Sequence, residues 1–99
     1  MKINNQKEGT TLTMAIEGRI DTQTAPELEA AVKDSIEGIE HLVLDFAQVA
    51  YISSAGLRVV LAAQNWMDAK QGTMVIRNAA KVIVNVFKVT GFDTFLTLE

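Results

Sequence analysis

The sequence contains no cysteine, which excludes a disulfide framework, a thiolate metal site and a cysteine nucleophile. Histidine occurs once, at His41, and proline once, at Pro26. No apolar run approaches the ~20 residues that a membrane-spanning helix needs, and the opening Met1-Lys2-Ile3-Asn4-Asn5-Gln6 is too polar for a signal-peptide core. Clusters of lysine or arginine are missing too. Nine basic and twelve acidic side chains are interspersed for a net charge of -3, so neither nucleic acid nor an anionic membrane surface is expected as a partner. The absences together predict a cytosolic protein without direct membrane insertion, whose chemistry rests on hydroxyls, carboxylates and the backbone. At 99 residues the chain reads as one domain over 1–99, long enough to bury roughly 65% of its unfolded surface.

What the sequence does have is centred on Ile52-Ser53-Ser54-Ala55-Gly56-Leu57-Arg58. Upstream, Leu42 to Phe46 is apolar except for Asp45; downstream, apolar residues at helical spacing begin at Leu57. Two serines therefore sit where a strand gives way to a helix. Ser53 suits the N-cap, its hydroxyl accepting from a free backbone N–H of the first turn, which leaves Ser54 just inside that turn and available for something else. A helix start carries unpaired N–H groups and roughly half a positive charge, so a hydroxyl there could carry a phosphate at little electrostatic cost. From these residues alone, two ordinary capping serines remain the alternative.

Lys2 to Lys7 and Thr10 to Glu17 form a hairpin around Glu8-Gly9, the second strand placing Leu12, Met14 and Ile16 on one face. Gly18 breaks that strand, and Arg19-Ile20-Asp21-Thr22 leads into a helix. Thr24 and Glu27 form its capping box, Pro26 sits in the first turn, and Gly38 stops it. His41 to Phe46 is an interior strand with neighbours on both sides, followed by a loop from Ala47 to Tyr51. The next helix runs from about Ser54 to Lys70 with two apolar stripes, Leu57, Val60 and Leu61 on one and Val59, Ala62, Ala63 and Trp66 on the other. Sheet and neighbouring helix cover both stripes, or one completes a partner surface. A strand follows at Thr73 to Arg77. In Lys81 to Val89 the β-branched residues favour a strand, but Lys81, Asn85 and Lys88 share a single stripe only on a helix, with Asn78 capping its start and Gly91 its end. Thr94 to Leu98 closes the chain as a short edge strand. Strands alternating with helices imply right-handed crossovers and a parallel pair, hence an α/β fold with helices on a mixed sheet of four to five strands.

Enzymatic readings find little support. The single histidine lies at the far end of the strand leading to the serines, about 15 Å or more away at the usual strand rise, which argues against a serine–histidine mechanism. Asp21 and Asp45 are scattered carboxylates rather than a metal site or acid/base pair, and Gly56 alone makes no phosphate loop. His41 and Asp45 read as structural residues. No catalytic residue and no cofactor is implied, and the expectation is a binding module.

The stretch Tyr51 to Arg58, preceded by Leu42-Val43-Leu44-Asp45-Phe46, resembles the signature of the STAS domain as found in bacterial anti-sigma factor antagonists. Gly18-Arg19-Ile20-Asp21, the helix start Thr24-Ala25-Pro26-Glu27-Leu28 and Val89-Thr90-Gly91-Phe92 resemble further motifs of that family, in order, over nearly the whole chain. Aligned on Gly56-Leu57, the family's phosphoacceptor serine falls on Ser54. Ser53 replaces the usual aspartate and is a second candidate acceptor, while Ala55 replaces a second hydroxyl residue. The chain also stops at Glu99, where many relatives carry a last helix. The resemblance implies partner switching: an anti-sigma factor serine kinase binds the unphosphorylated domain, phosphorylation of Ser54 ends the association, and a PP2C-type phosphatase reverses it. Asp21, Thr22, Ser53, Ser54, Gly56, Leu57 and Arg58 are the partner-binding candidates, with Asp21 expected to hydrogen-bond the free Ser54 hydroxyl and to repel its phosphate. Nothing demands oligomerisation, so a monomer is expected. Two other readings stay open. One is a constitutive STAS subunit of a membrane transporter or other assembly, without phosphorylation; the other is a small-ligand sensor.

Overall fold

Alternation along Thr11–Ile20 sends Leu12, Met14 and Ile16 to one side of a sheet. The computed structural model, which describes residues 1–99, pairs that strand on both edges. In chain order the elements are β1 (Lys2–Glu8), β2 (Thr11–Ile20), α1 (Ala25–Ser35), β3 (His41–Ile52), α2 (Ser54–Ala69), β4 (Thr73–Arg77) and α3 (Lys81–Val89). β1 runs antiparallel to β2, whereas β3 lies parallel to both β2 and β4, giving a mixed sheet of order β1-β2-β3-β4. The α/β expectation and the interior position of the His41–Phe46 segment are borne out.

Both crossovers step in the same direction across the sheet, so right-handed connections put α1 and α2 on the same face. Leu42, Leu44 and Phe46 of β3 join Leu12, Met14, Met74 and Ile76 beneath the helices in one apolar cluster. Val43 is also buried yet stands outside that cluster. Strand parity points it to the opposite, open face, where register sets it between Thr13 and Val75. α2 packs on β3, β4 and α1, burying Leu57, Val59, Val60, Ala63 and Met67; Trp66 is half-buried, with the Lys33 ammonium of α1 5.2 Å from its ring centroid. Sheet and neighbouring helix thus cover most of both stripes, with Leu61 and Ala62 left half-buried.

Five local readings need correction. β2 continues through Gly18 to Ile20, and the expected loop at Ala47–Tyr51 belongs to β3. The apolar residues there, Phe46, Val49 and Ile52, are spaced by three, which spoils alternation. Two register shifts in the β2–β3 pairing each absorb one extra residue of β3 and return the next apolar side chain to the core. At α1, Thr24 makes no side-chain cap; its hydroxyl accepts from the Asp21 N–H (2.9 Å) and donates to the Arg19 carbonyl (2.7 Å). α3 is a helix, as its polar stripe requires, but Ala80 is its N-cap. Asn78 adopts a left-handed conformation and donates to Asp45 Oδ1 at 3.2 Å, an oxygen that also accepts from the Ala47 N–H in the bulged stretch. After Gly91, which does end α3 with φ at 78°, Phe92–Thr94 forms a 3-10 turn. The expected edge strand shrinks to a parallel bridge of Leu98 with Ile76, anchored by the Arg77–Glu99 ion pair at 2.8 Å.

α3 is held chiefly by Ile83 and Phe87, the latter fully buried with its ring 6.3 Å from that of Phe46. Phe87→Ala should therefore lower unfolding stability in urea by about 3–5 kcal/mol. Val89→Ser, on the exposed side of the same helix (74% exposed), should change it by less than about 0.5 kcal/mol.

Candidate functional site

β2 and β3 end side by side, at Ile20 and Ile52, and the turn into α1 and the start of α2 build one surface there. The Ser53 N–H donates to the Ile20 carbonyl at 2.8 Å, which ties the start of α2 to the end of β2. Ser53 is extended (φ -97°, ψ 176°), and its Oγ accepts from the Gly56 N–H at 3.3 Å. It is the N-cap that its residue type predicted. Ser54 is the first residue of α2 and is exposed. With the capping done by its neighbour, its hydroxyl is presented to solvent.

Gly56 explains how α2 can start there. A β-carbon at this position would lie 2.7 Å from Ile20 Cγ2, 2.8 Å from Ile52 Cγ1 and 2.9 Å from the Ile20 carbonyl oxygen. The backbone oxygen cannot give way, so only glycine lets the first turn sit on the two strand ends. Gly56 and Leu57 are both buried. Of the seven candidate partner-binding residues, these two support the surface from below, whereas Thr22, Ser54 and Arg58 are exposed on it and Asp21 and Ser53 are half-buried.

Asp21 caps the turn into α1. Its Oδ1 accepts from the Gln23 and Thr24 N–H groups, both at 3.0 Å, the Thr24 hydroxyl lies 3.2 Å away, and Oδ2 is 3.8 Å from Arg19 Nε. The carboxylate is thus engaged in its own turn rather than with Ser54, contrary to the expected hydrogen bond between them. The Thr24 N–H above all holds the Asp21 carboxyl below its ordinary value of 3.8; the Thr24 hydroxyl, the Gln23 N–H and Arg19 add to this against the opposing effect of desolvation.

Two further residues shape the surface and were not singled out in the sequence. Register places Arg19 opposite Tyr51, and the guanidinium lies over the phenol ring, 4.2 Å from its centroid. Tyr51 stays 41% exposed, an amphipathic ring at the rim. Adjacency of each to the isoleucine that ends its strand was the available signal; which strands pair was not. Between the first turns of α1 and α2 lies a groove of about 240 Å³, lined by Thr22, Pro26 and Glu29 on one side and Ala55 and Arg58 on the other. His41 lies elsewhere, its Nδ1 2.7 Å from Thr73 Oγ1. This end of the sheet displays the exposed Ser54 hydroxyl together with the groove between α1 and α2.

Gly56→Ala should cost about 1–3 kcal/mol through overpacking, read by urea unfolding. The Asp21 turn generates a pH dependence whose sign is set by its depressed pKa: its stabilisation is complete above the unfolded value near 3.8 and is lost as pH falls through the folded value. In thermal unfolding, the advantage of the native protein over Asp21→Asn should be greatest near neutral pH and should shrink on acidification below the ordinary carboxylate value.

The family profile described as "Mlab, STAS domain" matches residues 3–98. A proposed anti-sigma factor antagonist of Bordetella bronchiseptica, BtrV, is 33% identical over 93 residues, covering 93% of this chain and 80% of that one. Among solved structures, an anti-sigma factor antagonist from Mycobacterium paratuberculosis shares the fold at a TM-score of 0.87 with 22% identity, over 98% of this chain and 83% of its own. The Bacillus cell fate determinant SpoIIAA in its phosphorylated form does so at 0.77 with 16% identity, over 99% and 91%. With the profile spanning nearly every residue of the sheet, the helices and the serine-bearing helix start, the chain belongs to the STAS domain family.

Proposed function

We propose that this domain is an anti-sigma factor antagonist, a binding module that is itself a kinase substrate and not an enzyme. One observation carries the reading: Ser53 caps α2, so Ser54 stands exposed at its first residue with its hydroxyl uncommitted. The relatedness to BtrV supports the role. In the unmodified state an anti-sigma factor docks on the surface formed by the Asp21 turn, the start of α2 and the Arg19–Tyr51 pair, and so releases its sigma factor. Its serine kinase activity then transfers the γ-phosphoryl group of ATP to Ser54 Oγ, with the hydroxyl proton lost and ADP released. The phosphate adds about -1.5 to -2 charges at a helix start, which the domain tolerates and a docked surface does not. A PP2C-type phosphatase removes it again. Asp21 contributes by negative charge, which opposes a second anion nearby, rather than by a bond to the hydroxyl.

A second reading has a specific observation behind it. Ser53 stands where the family's usual site has aspartate, and as a cap it needs no phosphate chemistry. This favours a constitutive STAS subunit of a larger assembly, such as a transporter. Intact-mass spectrometry before and after incubation with ATP and the co-expressed anti-sigma kinase separates the two. One phosphate is expected, abolished in Ser54→Ala and kept in Ser53→Ala, which should lose only about 1 kcal/mol of stability with its cap. No phosphate on any variant, with the kinase active on another substrate, would decide for the constitutive subunit.

A further inference from the structure

Arg58 is a cation of this surface that nothing in the domain neutralises. The ion pairs present are Arg19–Asp21 at 3.8 Å and Arg77–Glu99 at 2.8 Å, and Arg19 is further held over Tyr51. Glu29 of α1 borders the same groove as Arg58 but does not pair with it. Asp21 is taken up by its own turn. Arg58 follows Ser54 by four residues in α2, a rise of about 6 Å along the axis, and residues at that spacing are neighbours on one helix face. Helical side chains lean toward the N-terminus, so a side chain as long as arginine at this position can reach the turn that carries Ser54. Both residues are exposed, so neither must leave the core for them to meet.

On the reading that Ser54 is phosphorylated, we propose that Arg58 is the internal counter-ion of the phosphate, and that modification withdraws from the docking surface the free cation it offers in the unmodified state. The guanidinium is a planar fork that can donate two parallel N–H bonds to two phosphate oxygens. Phosphorylation therefore changes the surface twice, adding negative charge at Ser54 and occupying the positive charge at Arg58. A partner that presents a carboxylate to Arg58 loses that contact at the moment it meets the new anion. The surface is switched by exchange of partners around one arginine, without a change of fold.

The test needs no kinase. Phosphoserine is installed at position 54 during translation, and its ionisation is followed by 31P NMR in the native background and in Arg58→Gln, Arg58→Lys and Arg19→Gln. The native midpoint should lie below that of Arg58→Gln by about 0.2–0.4 pH unit, with Arg58→Lys between them because it keeps the charge and loses the fork. Arg19→Gln removes an equal charge, from a guanidinium already held by Asp21 and Tyr51, and should shift the midpoint less. The gap should persist in about 0.5 M salt, where distant charges are screened within about 4 Å. Coincident midpoints in the native and Arg58→Gln proteins, an equal or larger shift in Arg19→Gln, or a gap abolished by salt would overturn the assignment. A kinase that leaves Ser54 unmodified would instead refute the reading on which it rests, while the titration still judges the Ser54–Arg58 pair itself.

Discussion

The contact on which this surface depends is the approach of Gly56 to the ends of β2 and β3. There is no room for a β-carbon between it and the Ile20 carbonyl, Ile20 Cγ2 and Ile52 Cγ1, so α2 begins directly on the strand ends. The Ser53 N–H bonds to the same Ile20 carbonyl, and the Ser53 hydroxyl holds the Gly56 N–H. These constraints leave Ser54 outside, on the first turn of a helix whose next turns are packed against β3, β4 and α1. A rigid base and an exposed hydroxyl both result from one close contact. Parallel strands with two same-face crossovers put the loops after β2 and β3 beside each other, which brings Asp21 and Thr22 to the same end of the sheet as the serines.

Electrostatics then divides the charged residues of that end by what they are already doing. Asp21 satisfies the backbone of its turn, and its depressed pKa records the stabilised carboxylate. Arg19 is shared between Asp21 and the Tyr51 ring. Arg58 has no such commitment. A small domain with a net charge of -3 therefore keeps an unpaired cation four residues on from Ser54 in the same helix, both of them exposed. Solvent screening weakens charge–charge effects beyond about 10 Å at ordinary ionic strength, which confines any effect of a charge at Ser54 to groups on this surface.

Much of this was legible in the residues, and for identifiable reasons. A serine followed by helical periodicity is a local signal, and Ser53 caps as such serines do. In α3 the spacing of Lys81, Asn85 and Lys88 outweighed the β-propensity of the valines, because an amphipathic period reports tertiary burial where propensity does not. Most of the misses are non-local. The extension of β3 through Ala47–Tyr51 rests on bulges that only pairing with β2 reveals. The Arg19–Tyr51 stack needs the parallel register. Thr24 was expected to cap α1, but it lies in the helical region of backbone space, and Asp21, three residues earlier, captures its N–H. Asn78 likewise turns to Asp45 across the sheet instead of to the start of α3.

The claim at the centre is that the Ser54 surface displaces a sigma factor only while it is unmodified. The most direct measurement titrates the domain into a preformed complex of the anti-sigma factor with a fluorescently labelled sigma factor and follows sigma release by anisotropy. Stoichiometric release by the native protein, and none by the same protein carrying phosphate at Ser54, is the predicted result. Equal release by both forms, or release by neither while the unmodified domain co-purifies with a transporter ATPase, would contradict it.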